Sequence, residues 1–429
     1  MASLAELSSA PQRKKLRIRA YVAACFGGFA DLLLDNSAII ILYFAMLNAG
    51  SSLTMFSTSL TGITSLCLLI PASGIVDRFG PQNMIKFACS VSCIGHLFTA
   101  CAPFFGDFAK YAALLGIILI CLPKPLWTAS WYPVLGQILL PGERADFFGF
   151  MRFSYNIITG GVFFLIALVM GKNPPLLMLQ IIIAVIGILM LGRGYFVASI
   201  PLPPHIRQNY DLKKSFSISI KNSPLIGFAV YVCFMMLAFS PVLPLTMIYL
   251  KRSLDLPDNM VQMISSFGIA GCVCAYFFYG RIVKKTGSRN LELLVHCCFI
   301  LIPLALAFCR GFAHVEYVIG LLFLAGNFVY GIFFCAFSQE ILALARPGNA
   351  TMANALGNTY MQIGSAAGRG ATSFMLGCGA LSASWTMWEL PFSDFQAIFL
   401  LCSGVAFFAL ILIFCLPSVV PQHDDYYAP

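Results

Sequence analysis

Charge is what this chain of 429 residues has least of: Asp, Glu, Lys and Arg together make up 10% of it. A soluble domain carries about 25%, so a water-facing globular surface cannot be assembled from this sequence. No nucleotide-binding sequence is present, which leaves an ion or solute gradient to drive any pumping. No nucleophile–base constellation is found, and the deep histidines, such as His96, stand alone. Both absences speak against an integral-membrane enzyme. The sixteen cysteines are scattered through apolar segments and form no disulfide framework. Cys89, Cys93 and His96 share one helical face and read as packing residues rather than metal ligands. No metal and no cofactor is expected. The first twenty residues are polar and run straight into an apolar segment, unlike a cleavable signal peptide.

Apolar residues fill the space that charge leaves. They make up 59% of the chain, and the mean hydropathy is +0.86. A spanning helix needs about 20 mainly apolar residues, because lipid cannot satisfy a bare backbone. Twelve such segments are expected, near 20–46, 54–76, 84–104, 109–138, 147–170, 175–198, 223–249, 259–283, 290–309, 314–341, 351–379 and 394–417. The exception to short connections is 199–222, with Pro201, Pro203, Pro204, Arg207, Lys213, Lys214 and Lys221, which reads as a linker. The predicted layout is a basic tail (1–19), a six-helix bundle (20–198), the linker (199–222), a second six-helix bundle (223–417) and a short tail (418–429).

Basic residues cluster on one side of that layout. The N-terminal Arg13, Lys14, Lys15, Arg17 and Arg19 share it with the linker lysines and with Arg78, Lys86, Arg144, Arg281, Lys284, Lys285, Arg289 and Arg346. Such an excess marks the cytoplasmic face, so both termini are expected there, in a plasma (inner) membrane. The net charge of +9 is then topology, and no nucleic-acid partner is implied.

A short segment repeats at half-length. Ser73-Gly74-Ile75-Val76-Asp77-Arg78-Phe79-Gly80 closes the second apolar run, and Gly280-Arg281-Ile282-Val283-Lys284-Lys285-Thr286-Gly287 closes the eighth. The offset is 284 − 77 = 207 residues. A loop repeated between membrane-length segments implies two related bundles, a geometry of carriers. A fainter repeat aligns Tyr155-Asn156-Ile157-Ile158-Thr159-Gly160 with Tyr360-Met361-Gln362-Ile363-Gly364.

With these motifs the chain resembles a major facilitator superfamily transporter. The family's loop signature between its second and third helices runs Gly-x-Leu-Ala-Asp-Arg-x-Gly-Arg-Lys. Asp77, Arg78 and Gly80 match it, whereas Ser73 replaces the first glycine and Pro81 and Gln82 replace the basic pair. The second copy keeps Gly280, Gly287 and Arg289 but has Lys284 where the acid would sit. The resemblance implies an all-α integral membrane fold of twelve helices in two pseudo-symmetric six-helix bundles. It also implies a gate at this loop, with Asp77 holding the bundles together in one state and Arg78 braced locally. Glu143 and Arg144 in the first half, Glu340 in the second, and Arg152 near the end of the fifth span read as further gate charges.

Charges at membrane depth are costly and point to function. Asp31 lies near the middle of the first span and Asp35 one turn further, with Asn36 beside it. Lys124 sits between Pro123 and Pro125 in the fourth span, where broken backbone needs protein or water around it. The family places these spans around a central cavity, where Asp31 or Asp35 would pair with Lys124 and exchange that partner for a proton or a charged solute group. Asn354, Asn358, Gln362, Ser365 and Arg369 fall on one face of the eleventh span, as a cavity wall would. Asn156 is the counterpart in the fifth. Trp127 and Trp131 offer stacking surfaces, and Asn327 and Tyr330 are mid-depth candidates in the tenth span. Trp385 and Trp388 read as interfacial belt residues.

These features together predict a secondary active carrier of a small polar organic solute, working by alternating access as a monomer in the lipid bilayer. A proton is the first candidate for the coupling ion and sodium the second. The competing readings are a cation-coupled sugar symporter of the glycoside-symporter type, suggested by Gly27-Gly28-Phe29-Ala30-Asp31, and a transporter-like solute sensor that moves nothing.

Overall fold

The computed structural model describes residues 4–35, 38–140, 144–202, 212–311, 313–346, 349–379, 381, 385–387 and 390–415. Asn36, Glu143, Trp388 and residues 203–211 of the linker lie outside them, as do the side chains of Asp77 and Arg144. The described chain is almost wholly helical. Its helices of eight residues or more are α1 (Ala10–Asp35), α2 (Ile39–Met46), α3 (Ser51–Phe79), α4 (Pro81–Ala100), α5 (Ala109–Cys121), α6 (Lys124–Ile138), α7 (Arg144–Met170), α8 (Leu176–Ala198), α9 (Leu212–Ile220), α10 (Ser223–Phe239), α11 (Val242–Arg252), α12 (Asp258–Thr286), α13 (Ser288–Ala307), α14 (Val315–Leu344), α15 (Ala350–Cys378) and α16 (Asp394–Cys415). One small antiparallel pair, β1 (Trp385–Met387) and β2 (Leu390–Phe392), precedes α16.

Nine helical stretches among the described residues are long and apolar enough to cross a membrane. A tenth arises if α1 and α2, bent by 52°, form one span. The two remaining expected segments form helices of 20 and 29 residues, α4 and α15, but are too polar to be counted by composition. Their polar residues sit where other helices cover them: Ser92, His96 and Thr99 in α4, and Ser365, Arg369, Thr372 and Ser373 in α15, are all buried.

The chain forms two compact units. Unit 1 comprises Met1–Ala49 and Thr64–Asn209, and unit 2 comprises Gly50–Ile63 and Tyr210–Pro429. The same neighbour relations recur in each. In unit 1, α1 packs between α7 and α8, and α4 lies on α8. In unit 2, α10 packs between α15 and α16, and α13 lies on α16.

The repeat extends to single hydrogen bonds. α3 ends where the Gly80 amide bonds the Val76 carbonyl at 2.8 Å, and α12 ends where Gly287 bonds Val283 at 2.9 Å. Gly80 has φ 87° and ψ 143°; Gly287 has φ 76° and ψ 158°. That region is essentially reserved for glycine. The spans broken at α1/α2 and α10/α11 also match. Tyr43, fully buried in α2, donates to the Thr99 carbonyl at 2.6 Å, and Tyr249, fully buried in α11, donates to Cys309 at 2.9 Å.

A paired substitution tests the turn. Gly287→Ala is expected to lower stability by about 1–3 kcal/mol through backbone strain. Gly280→Ala lies inside α12 with open space around it, so it should be neutral or stabilising by about 0.4–1 kcal/mol. Thermal unfolding of the two variants in detergent compares them; equal melting would show that the turn conformation carries no strain.

Candidate functional site

Four helices of unit 1 bring together the charges that composition makes so rare. α1 carries Asp31 and Asp35 one turn apart. α6 starts at Lys124, immediately after Pro123, and presents Trp127 and Trp131 on successive turns. α8 carries Arg193 between Gly192 and Gly194, and α4 supplies Cys89 and Ser92.

Two ion pairs form. Arg193 Nη2 donates to Asp31 Oδ2 at 2.8 Å, and Lys124 Nζ donates to Asp35 Oδ2 at 3.1 Å. The two acids expected to compete for Lys124 thus divide between two cations. Arg193 was not expected. Its guanidinium carbon stands 3.7 Å above the Trp127 ring, whose centroid is 4.6 Å from that of Trp131. The Arg193 side chain is 5% exposed, against 34% for Asp31. The guanidinium fits because residue 27 has no side chain: a Cβ there would lie 1.6 Å from Arg193 Nε. Nε itself is buried without a hydrogen-bond partner among the described residues. Asp31, Cys89, Ser92, Lys124, Trp127 and Arg193 line a narrow cleft with room for about one or two waters. The ion pairs occupy this space, so a solute entering here has to displace one of them.

In unit 2 the cation of note is Arg369 of α15. It is 6% exposed, and its Nη1 donates to the Thr58 carbonyl at 2.8 Å while its Nε donates to Ser240 at 3.2 Å. Asn358 bonds the Asn354 carbonyl and side chain at 2.8 and 3.0 Å. Gln362 is half-buried on the same helix. Ser365 is buried, and its carbonyl accepts from the Ser240 hydroxyl. Tyr330 packs its ring 4.8 Å from Phe334.

Two candidates donate within their own helices. Asn156 donates to the Arg152 carbonyl at 2.8 Å, and Asn327, fully buried, donates to Phe323 at 2.9 Å and packs against Gly268 of α12.

The loop candidates are placed as follows. Arg78 is exposed and lies 5.3 Å over the Phe79 ring. Lys284 and Arg289 are exposed, Arg152 is half-buried and Glu340 is 4% exposed. Gln82 occupies one of the two positions where the signature has a basic pair. It donates to the Val197 and Ile200 carbonyls at 3.0 and 2.6 Å, and Arg19 donates to Ser199. These side chains add donors to carbonyls at and just past the end of α8, where the regular helical donors run out.

A family model described as Major Facilitator Superfamily matches residues 20–369. Solved structures share the fold over most of their length. A D-xylose–proton symporter superposes with a TM-score of 0.72 at 13% identity, covering 94% of this chain and 98% of that one. A mutant form of the nucleoside transporter NupG gives 0.69 at 15% identity, covering 95% and 99%. The xylose transporter XylE from E. coli, in an inward-open conformation, gives 0.65 at 12%, covering 92% and 96%. No curated protein matches the sequence significantly.

Proposed function

The chain belongs to the major facilitator superfamily and is a multi-pass membrane transporter, not an enzyme; from this we propose that it moves a small polar organic solute by alternating access, driven by protons. The observation that carries the reading is the pair of ion bridges in the unit 1 cleft. A proton arriving on Asp31 would end its charge-assisted bond to Arg193 and free a guanidinium for an acceptor group of the solute. Lys124 and Asp35 would answer in the same way. The fold likeness to a D-xylose–proton symporter fits this reading. Two six-helix bundles would rock about this depth of the membrane, with Asp77, Arg78, Arg144 and Glu340 at the gates and Asn358, Gln362 and Arg369 as second-half contacts. The basic asymmetry of the loops supports cytoplasmic termini in a plasma membrane. We take the working form to be a monomer.

The sugar reading has one observation in its favour, the Trp127–Trp131 pair beside the cleft. Arg193 covers the Trp127 face, so a sugar would stack there only after the guanidinium had moved.

Two experiments test the proposal. A solute at about 100 times its dissociation constant stabilises the folded protein by about 2.7 kcal/mol, so thermal shifts against nucleosides, sugars, amino acids and organic anions identify the class. In proteoliposomes with that solute, Asp31→Asn should lose accumulation driven by a pH gradient yet keep solute exchange. Unchanged pH-driven accumulation removes Asp31 from coupling. Binding without flux in the wild type would favour the sensor.

A further inference from the structure

We propose that Glu292 is a proton-binding residue of unit 2, carrying its proton beside Glu340 and apart from the ion pairs of α1, α6 and α8. Glu292 lies in the second turn of α13, just past the Gly287 turn. It is 7% exposed, and neither carboxylate oxygen has a hydrogen-bond partner among the described residues. Glu340 of α14, 4% exposed, stands close enough for the two charges to interact.

Each neighbouring helix supplies a polar group that is already engaged. His296, one turn further along α13 and fully buried, uses both ring nitrogens. Its Nε2 lies 3.0 Å from the Ala406 carbonyl, which can only accept, so Nε2 carries the hydrogen. Its Nδ1 therefore accepts from the Tyr231 hydroxyl of α10 at 3.0 Å, which uses that hydroxyl's one hydrogen. Tyr231 and Tyr279 both lie within electrostatic reach of Glu292. On α12, Tyr279 donates to Gln339 Oε1 at 2.8 Å. α16 brings no charged residue except Asp394 in its first turn. The nearest cations along the chain, Arg281, Lys284, Lys285 and Arg289, are exposed. A bare carboxylate in this position has neither donor nor counter-charge among the described residues, and it would face a second acid across a medium that screens poorly. The neutral acid removes both costs, which makes a single proton the ligand.

The fold does not require an acid here. The repeat offset of 207 puts Glu292 on Ile85 of the first half, which is fully buried in the matching turn of α4. Unit 1 fills the position with an alkyl chain, whereas unit 2 fills it with a group that ionises. Protonation changes decide how α13 and α14 hold together at that end: neutral Glu292 packs, and charged Glu292 repels Glu340.

Infrared spectroscopy of the purified protein reads this directly, through the carbonyl stretch that only an un-ionised carboxyl shows. The expected result at neutral pH is a band present in the wild type and in Asp31→Asn, lost in Glu292→Gln and retained in Glu292→Asp. In Glu340→Gln the neighbouring negative charge is gone, so ionisation of Glu292 becomes easier and the band should disappear at a lower pH than in the wild type. Gln keeps the shape of the neutral acid, so Glu292→Gln should melt like the wild type. Should it not fold, the Glu340→Gln titration still decides. Identical spectra for wild type and Glu292→Gln, or a wild-type band that vanishes when sodium replaces potassium, would overturn the proposal, the second outcome marking a sodium site. These spectra involve no transported solute, so they stand or fall apart from the Asp31→Asn transport assay.

Discussion

Gly27→Ala is expected to destabilise unit 1 by about 3–5 kcal/mol and to abolish uptake, although it adds a single methyl group. The new Cβ would lie 1.6 Å from Arg193 Nε and 1.7 Å from Cζ. A guanidinium at the end of a flexible side chain would ordinarily swing away at small cost. This one is held by Asp31 at 2.8 Å and by the Trp127 face at 3.7 Å, and it is almost wholly buried. Displaced, it keeps its charge but loses its counter-ion, and breaking a buried pair in this way costs about 3–5 kcal/mol. Thermal unfolding and proteoliposome uptake measure the two consequences. Gly28→Ala is the control: its Cβ would come no nearer than 3.0 Å to Tyr155, and a small shift of that ring should suffice. Adding Arg193→Leu to Gly27→Ala should restore much of the melting temperature, since no buried charge is left stranded, but not transport. Wild-type melting and uptake in Gly27→Ala would show that the guanidinium does not need this slot.

Arg193 also marks the limit of what the sequence discloses. Asp31, Asp35 and Lys124 stand out because each interrupts an apolar run near mid-depth, and Lys124 adds two flanking prolines. Arg193 lies five residues from the end of α8, where a long cationic side chain is expected to reach for the membrane surface. Its real surroundings are set by a missing side chain on α1 and a ring on α6, positions about 166 and 66 residues away along the chain. The one local hint is the glycine on either side of it. The turns at Gly80 and Gly287 were legible for the opposite reason: their geometry is local, and the residue that permits it is in the motif. The polar face of α15 was legible as a face, through its helical period. Its partners were not, because nothing in the period says that Asn358 turns to Asn354 while Arg369 turns to backbone carbonyls. Asn327 shows the same limit, since depth alone could not say that it packs against α12.

Arg369→Leu is expected to cost about 2–4 kcal/mol, because the arginine bonds two carbonyls and at one of them replaces a hydrogen bond that proline has removed. Pro244 has no amide hydrogen, so the Ser240 carbonyl four residues earlier has no helical donor. Pro241 does the same to Leu237. α15 approaches α10 closely here because residues 364 and 368 are glycine: a Cβ at 364 would lie 2.1 Å from the Cys233 oxygen and one at 368 would lie 2.4 Å from the freed Leu237 oxygen. That approach sets Arg369 Nε at 3.2 Å from Ser240 O and leaves Nη1 to reach Thr58 O in α3. Arg369→Lys should be intermediate, since a compact ammonium lacks the planar fork that addresses both carbonyls. The decisive comparison is a double-mutant cycle with Pro244→Ala, which returns a donor to the Ser240 carbonyl. If Arg369 stands in for that donor, Arg369→Leu should cost less in the Pro244→Ala background than in the wild type, by about 1 kcal/mol or more. Strict additivity of the two melting shifts would show that the bond to Ser240 is incidental. A loss of uptake in Arg369→Lys with little change in melting would instead place Arg369 against the solute.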